Sequence, residues 1–336
     1  MKKNRLFIIA ELSANHNNDF DLAKKTIKAM ADAGADAVKV QTYTADSLTL
    51  NIDNEYFGPR KEGLWKGKKP YELFQEGSMP YEWQPKLKQI AEDLGMVFFS
   101  SPFDLEGVDF LESIGVSMYK IASLEITDIP LIRHIASKNK PIIISTGVAD
   151  LSDIQLAINT CRNEGNNDIT LLKCTSEYPA PIELANLRTI PNMAETFGVS
   201  VGLSDHTPGA TVPIAAVALG ATVIEKHFIL DRSLGGPDST FSMEPREFAD
   251  MVKGVREADM ALGHVNYELS EKNKLRRRSL FASDNIKKGD KFSHKNVKSV
   301  RPGHGLHPIH YDQLLELRSN CDIRKGTPIK WSLTQA

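Results

Sequence analysis

The stretch FIIAELSANHNNDFDLAKKTIKAMADAGADAVKVQTY (residues 7–43) reads as one unit of strand, helix and strand. FIIAEL (7–12) and VKVQTY (38–43) are short apolar runs rather than strict alternations, the pattern of strands covered on both faces. DLAKKTIKAMADAGA (21–35) between them has apolar residues at helical spacing, and Gly34 supplies a stop. Six further runs of the same kind follow: MVFFSS (96–101), MYKIAS (118–123), PIIIST (141–146), ITLLKC (169–174), VGLSDH (201–206) and TVIEKHF (222–228). Eight such strands alternating with helices over about 260 residues predict an α/β fold, a TIM (β/α)8 barrel. An open doubly wound sheet is the alternative, but no GxGxxG turn follows the first strand, where AELSANHN stands instead.

Composition shifts near residue 265, which predicts a barrel domain over 1–264, a polar linker over 265–278 and a small β-rich domain over 279–336. The small domain repeats one turn, IKKG at 286–289 and IRKG at 323–326. The long connection 44–80, rich in Gly, Lys and aromatics, is expected as a loop on the active face of the barrel.

A net charge of −2 over 336 residues gives no global field for nucleic acid or an anionic membrane. No apolar run approaches a membrane span, and LFIIA is too short for a signal-peptide core. Cys161, Cys174 and Cys321 lack metal-site spacing and suit a reducing cytoplasm.

Barrel enzymes carry their chemistry at the C-terminal ends of the strands. Here those ends hold Glu11, then Asn15, His16 and Asn17; Lys39 and Gln41; Ser100 and Ser101; Lys120, Ser123 and Glu125; Ser145 and Thr146; Lys173, Thr175, Ser176 and Tyr178; Ser204, Asp205 and His206; and Glu225, Lys226 and His227. Each has an ordinary structural reading as well: a snorkelling lysine, a helix-capping hydroxyl, a satisfied core histidine. Taken together, Lys39 and Lys120 with several hydroxyls suit a phosphate or carboxylate ligand. His206 and His227, on adjacent strands, suit an exchangeable divalent ion such as Mn2+.

IIAELSANHN, VKVQTY, FFSSPFD, YKIAS with Glu125, IISTG, KCTSEYPAP, GLSDHT, EKHF, GGPDSTFS and RPGHGLHP together resemble the sialic acid (nonulosonic acid) synthase family, collinearly over almost the whole chain. The family condenses phosphoenolpyruvate with an N-acetylated amino sugar on a TIM barrel followed by a small SAF, or antifreeze-like, domain. Within it, AELSANHN, QTYTADSLTL, LWKGKKPYELF and ASLEITDIPLI are most similar to the pseudaminic acid branch. Its acceptor is 2,4-diacetamido-2,4,6-trideoxy-L-altrose; the neuraminate and legionaminate branches use the same mechanism. The resemblance implies His206 and His227 as ligands of a divalent metal, Mn2+ first, with Mg2+ or Co2+ as alternatives. It implies Lys39, Ser101, Lys120, Ser123, Ser145, Ser176 and Ser204 around phosphoenolpyruvate. Asn17, Gln41, Glu125, Tyr178 and Asp238 would face the sugar, with Glu125 also a candidate for proton transfer. Arg301 would reach the sugar from the partner of a domain-swapped homodimer.

Three rival readings stay open at this stage. A class I aldolase would use Lys173 for a Schiff base. A related synthase would act on a phosphorylated sugar and need a further basic site. A carbohydrate-binding protein would carry the residues without turnover.

Overall fold

The computed structural model describes residues 6–336. They divide into two units, the first ending at Gly263 and the second running from His264 to Ala336. No helix among the described residues is long and apolar enough to cross a membrane.

In the first unit eight parallel strands close into a barrel in sequence order: β1 (Phe7–Glu11), β2 (Ala37–Thr42), β3 (Val97–Pro102), β4 (Tyr119–Ile121), β5 (Ile142–Ser145), β6 (Ile169–Cys174), β7 (Ser200–Asp205) and β8 (Val223–His227). Closure comes from β8 lying beside β1, with Phe7 opposite Val223 and Glu11 opposite His227. The helix of the opening unit, α1 (Phe20–Asp32), begins where the Asp19 side chain accepts from the Leu22 amide, and Gly34 follows its end at φ 89°. It buries Ala23, Ile27 and Met30, the spacing that marked it as a helix. The main core lies between the strands and the surrounding helices, including Ile8, Val38, Phe98, Ile144, Leu171 and Ile224.

A second, smaller apolar cluster lies inside the barrel: Ile9, Ala37, Phe99, Met118, Ile143, Leu172 and Val223. Side chains two apart on a strand share a face. Two residues beyond each member of this floor come Glu11, Lys39, Ser101, Lys120, Ser145, Cys174 and Glu225. On β7 the floor position is Gly202, where a Cβ would meet Leu172 and the Val223 backbone; two residues on stands Ser204. The barrel interior is therefore an apolar plug capped by a complete polar layer.

Strand β4 is shorter than the predicted 118–123 run. After Ile121 the Glu125 amide donates to the Ala122 carbonyl (3.1 Å), so Ser123–Glu125 form a 3₁₀ turn instead of continuing the sheet. The 44–80 connection contains two helices, α2 (Ala45–Leu48) and α3 (Pro70–Gly77). Between them, residues 60–68 close on themselves: the Gly67 amide donates to the Arg60 carbonyl (2.8 Å) and the Arg60 amide to the Lys68 carbonyl (3.0 Å).

The second unit has its own core of Leu280, Ala282, Ile286, Phe292, Val297, Leu314, Ile323 and Ile329. Its antiparallel pairs are Ser279–Ala282 with Val297–Val300, and Arg318–Ser319 with Thr334–Gln335. The two repeated turns meet each other: Ile286 and Ile323 exchange both backbone hydrogen bonds at 2.8 Å, with Gly289 and Gly326 at φ 90° and 86°. Within residues 265–278, Glu271–Lys274 form a short helix capped by Ser270.

Candidate active site

The polar layer is built around two buried ammonium groups. Lys39 is 4% exposed and Lys120 2% exposed, and both lie 3.7 Å from Glu225 Oε1. Lys39 also pairs with Glu11 Oε2 at 2.6 Å, while Lys120 donates to Ser145 Oγ at 2.6 Å. Two carboxylates against two ammoniums leave the layer neutral, which is what permits four such groups to be buried together. Burial works against a charged Lys39, but Glu11 and Glu225 outweigh it and raise its pKa. At Lys120 burial prevails and the pKa falls. Burial also opposes ionisation of Glu225, but Lys120 and Lys39 outweigh it and hold it ionised, whereas burial pushes its neighbour Glu11 up to about 7.

Hydroxyls surround this quartet. Ser204 Oγ donates to Glu225 Oε1 (3.0 Å), and Ser101 Oγ is buried with no hydrogen-bond partner. Ser123 Oγ accepts from the Gly147 amide (3.0 Å). Gly147 has no room for a side chain: a Cβ there would run into Ser176 Oγ and lie 2.9 Å from Ser123 Oγ. Ser123, Ser145, Ser176 and Gly147 thus form a tight wall beside Lys120. Glu125, on the turn after β4, has Oε2 buried and unpartnered, and burial, opposed by Lys120, pushes its pKa up to about 7.

One step higher, His206 and His227 face each other with ring centroids 5.3 Å apart. His206 Nδ1 lies 2.8 Å from the Thr175 carbonyl, which fixes the proton on Nδ1 and leaves the Nε2 lone pair free. His227 Nδ1 is buried with no partner, and burial holds this imidazole's pKa well below its usual value. Burial lowers the His206 pKa, but Cys174 and the Thr175 carbonyl outweigh it and raise it, so an ion would displace a proton there; with that proton gone, two imidazoles with unused lone pairs fit a divalent ion. No group of three His, Cys, Asp or Glu among the described residues could hold a metal, so any ion here would take its remaining ligands from substrate or water. Tyr178 packs on His206 (4.3 Å) and Phe241 on His227 (5.0 Å).

Across the mouth, Gln41 Nε2 donates to Ser13 Oγ (3.1 Å), which in turn donates to Asp238; the Ala14 amide also donates to Asp238 Oδ2 (3.3 Å). Gln41 comes from the end of β2, and Glu125, Tyr178 and Asp238 from three separate connections beyond the strand ends. Asn17 stands at the exposed rim, where its amide donates to the carbonyls of Leu234 (3.2 Å) and Gly235 (3.4 Å). Arg301 belongs to the second unit. It lines a cavity of 410 Å3 there with Arg276, Arg277, Arg278 and His307.

Other strand-end residues turn away from the barrel interior. Lys226 pairs with Asp205 Oδ2 (2.5 Å) and donates to the Thr207 carbonyl. Asn15 clamps the Phe228 carbonyl (2.9 Å) and Ser242 Oγ (2.8 Å), and His16 sits edge-on to Trp83. Lys173 points to the outer side of β6: its Nζ donates to the Cys174 carbonyl (2.7 Å), and it lines a cavity with Glu183, Asn186 and Arg188. The lysine required by the Schiff-base reading is therefore outside the ring. Sequence reasoning missed Ser13, Gly147, Cys174 and Phe241. Of these, Cys174 follows from the two-residue spacing above Leu172; the others are placed by loops without a period.

The NeuB family model matches residues 26–267, and the SAF domain model matches residues 277–333. A pseudaminic acid synthase of Campylobacter jejuni is 49% identical, covering 97% of this chain and 96% of that one. One from Helicobacter pylori is 45% identical, covering 96% of each. The crystal structure of an N-acetylneuraminic acid synthetase from Leptospira borgpetersenii superposes with a TM-score of 0.71 at 34% identity, covering 80% of this chain and 89% of that one. With its polar barrel layer, facing histidines and near full-length likeness to these enzymes, the chain belongs to the NeuB family, the sialic acid synthases, and is an enzyme of that class.

Proposed function

We propose that this enzyme condenses phosphoenolpyruvate with 2,4-diacetamido-2,4,6-trideoxy-L-altrose to give pseudaminic acid and phosphate. The observation that carries the reading is the charge-balanced Lys39–Lys120–Glu11–Glu225 layer directly below the histidine pair. It offers a trianionic ligand two buried lysines held in place by their partners. The likeness to two pseudaminic acid synthases supports this choice of sugar over the neuraminate and legionaminate types.

In this reading Lys39 and Lys120 take the phosphate and carboxylate charge of phosphoenolpyruvate, and Ser101, Ser123, Ser145, Ser176 and Ser204 supply neutral donors. These groups hold C3 of the enol in line with the sugar aldehyde above it. Fixing two reactants in line is worth up to roughly 7–11 kcal/mol. His206 and His227 would hold a divalent ion, Mn2+ first among candidates, which when bound supplies Lewis acidity at the aldehyde. Gln41, Tyr178 and Asp238 orient the sugar hydroxyls and acetamido groups. C3 attacks the aldehyde carbon, water adds at C2, and phosphate departs with C–O cleavage. Glu125, protonated near neutrality, gives a proton to the developing alkoxide or the departing oxygen. Arg301 of the partner subunit reaches the sugar in a domain-swapped dimer.

The test is phosphate release from phosphoenolpyruvate with Mn2+ or with chelator, offering the L-altro diacetamido sugar, its D-manno counterpart and N-acetylmannosamine. Metal-dependent release with the first alone is expected, with 18O from the bridging position of phosphoenolpyruvate appearing in phosphate. Preference for another sugar would move the substrate; an 18O label left in the keto acid would remove the C–O cleavage step.

A further inference from the structure

The 44–80 connection carries one side chain back over the site. Trp65 lies in the closed 60–68 turn, where the Lys66 amide donates to the Gly63 carbonyl (3.2 Å) and the Arg60 guanidinium rests 5.3 Å from the indole centroid. From there the indole Nε1–H donates to the Pro237 carbonyl (3.1 Å), immediately before Asp238. The indole centroid is 6.0 Å from that of Tyr178, which is 5.0 Å from Phe241 and 4.3 Å from His206. Trp65 is half-buried on a surface segment whose neighbours Leu64 and Lys66 are exposed. The three rings form a continuous aromatic wall from the long connection down to the histidine pair, above and apart from the lysine layer.

We propose that Trp65 is a specificity-determining residue that contacts a methyl group of the sugar substrate; this rests on the function proposed above. An aromatic face without a free polar atom rewards a methyl and offers a hydroxyl no N–H or O–H partner. The indole N–H is already spent on Pro237, so the ring offers the ligand only its apolar surface. The bonded turn and the Arg60 contact hold it in place before the sugar arrives, so binding loses little side-chain entropy. The diacetamido 6-deoxy sugar carries three methyls: those of its two acetyl groups and the deoxy carbon.

The experiment compares wild type, Trp65→Ala and Trp65→Phe on four acceptors. These are the diacetamido 6-deoxy sugar, its 2-formamido and 4-formamido analogues, each lacking one acetyl methyl but still uncharged, and its 6-hydroxy analogue. Trp65→Ala is expected to lower kcat/KM for the full sugar by about tenfold or more, through the sugar KM, with the phosphoenolpyruvate KM and the melting temperature unchanged. The loss should shrink to about twofold on the analogue that lacks the contacted methyl, which names its source. Trp65→Phe should recover most of the activity. An equal loss on all four sugars, a loss borne by the phosphoenolpyruvate KM, or no loss would overturn the proposal. A wild-type enzyme that ignores the diacetamido sugar would instead overturn the function on which it rests.

Discussion

The barrel interior holds two layers one strand-step apart, equally buried and opposite in character. The floor, with Ile9, Phe99, Ile143, Leu172 and Val223, is a hydrocarbon plug. The layer above it holds Glu11, Lys39, Lys120 and Glu225 in a space no wetter. Burying apolar surface stabilises by about 25 cal/mol per Å2. Burying four charges, even when paired, commonly costs more than their attraction returns. The strands thus place stability below and a functional cost directly above, and the transition falls between residues i and i+2 of every strand. That spatial economy explains why a charged site can sit in the middle of a stable barrel: the plug beneath it keeps the walls in register.

The sharpest way to break the comparison is at the step above the polar layer. His206→Ala removes one of two imidazoles with unused lone pairs. Turnover is expected to fall by about a thousandfold or more, the scale of losing a directly acting group, while the melting temperature without metal changes little. Calorimetric titration with Mn2+ should lose the site in parallel. A variant that keeps its activity would separate the histidine pair from the chemistry.

The floor should respond in the opposite way. Phe99→Ala leaves a cavity under Lys39 and Lys120 and is expected to cost about 3–5 kcal/mol of stability, read by denaturant unfolding. Below the new transition the KM for phosphoenolpyruvate should stay within a few-fold of wild type. A large KM change with little loss of stability would mean that the floor shapes the ligand site directly.

The barrel and the place of its site are legible in the sequence; the layering is not. Lys39, Ser101, Lys120, Ser145 and Ser204 stand out because they fall at or near the C-terminal ends of strands, where barrels carry their chemistry, and cations with hydroxyls point to an anionic ligand. Glu11 and Glu225 share that placement, but their place as countercharges becomes visible only when the lysines are seen between them. Lys226 and Asp205 looked equally suggestive at strand ends, yet they sit on the other face of the pleat and satisfy each other. Trp65, Ser13 and Phe241 had no periodic signal, because irregular connections bring them in. Strand β4 was read too long because Ala122 and Ser123 continue an apolar-to-hydroxyl pattern shared by strand ends, while a local turn takes up their backbone groups.

A smaller effect separates Glu125 from Glu225, whose pKa the two lysines hold down. Burial raises the Glu125 pKa from 4.5 to about 7, so the folded state holds its proton more tightly than the unfolded chain does. Its contribution to stability is full below pH 4.5 and lost as pH rises through 7. Glu125→Gln should accordingly raise the melting temperature at pH 8, by on the order of 1 kcal/mol in stability, and leave it unchanged at pH 4. If protonated Glu125 donates in the reaction, wild-type kcat/KM should decline above pH 7, and the variant should be slow and flat across that range. A Gln variant that keeps the wild-type pH profile would assign the decline to another group.

The most direct test of the functional-cost account is the double substitution Glu11→Leu with Lys39→Met. It extends the apolar floor upward by one pair and leaves Lys120 and Glu225 to balance each other. Melting temperature and phosphate release from phosphoenolpyruvate should be measured on the same preparation. The account predicts a folded barrel of equal or greater stability, since exchanging a buried ion pair for apolar residues is often neutral or stabilising by about 1–4 kcal/mol, with phosphate release lost. A clearly destabilised barrel, or one that still releases phosphate at near the wild-type rate, would contradict it.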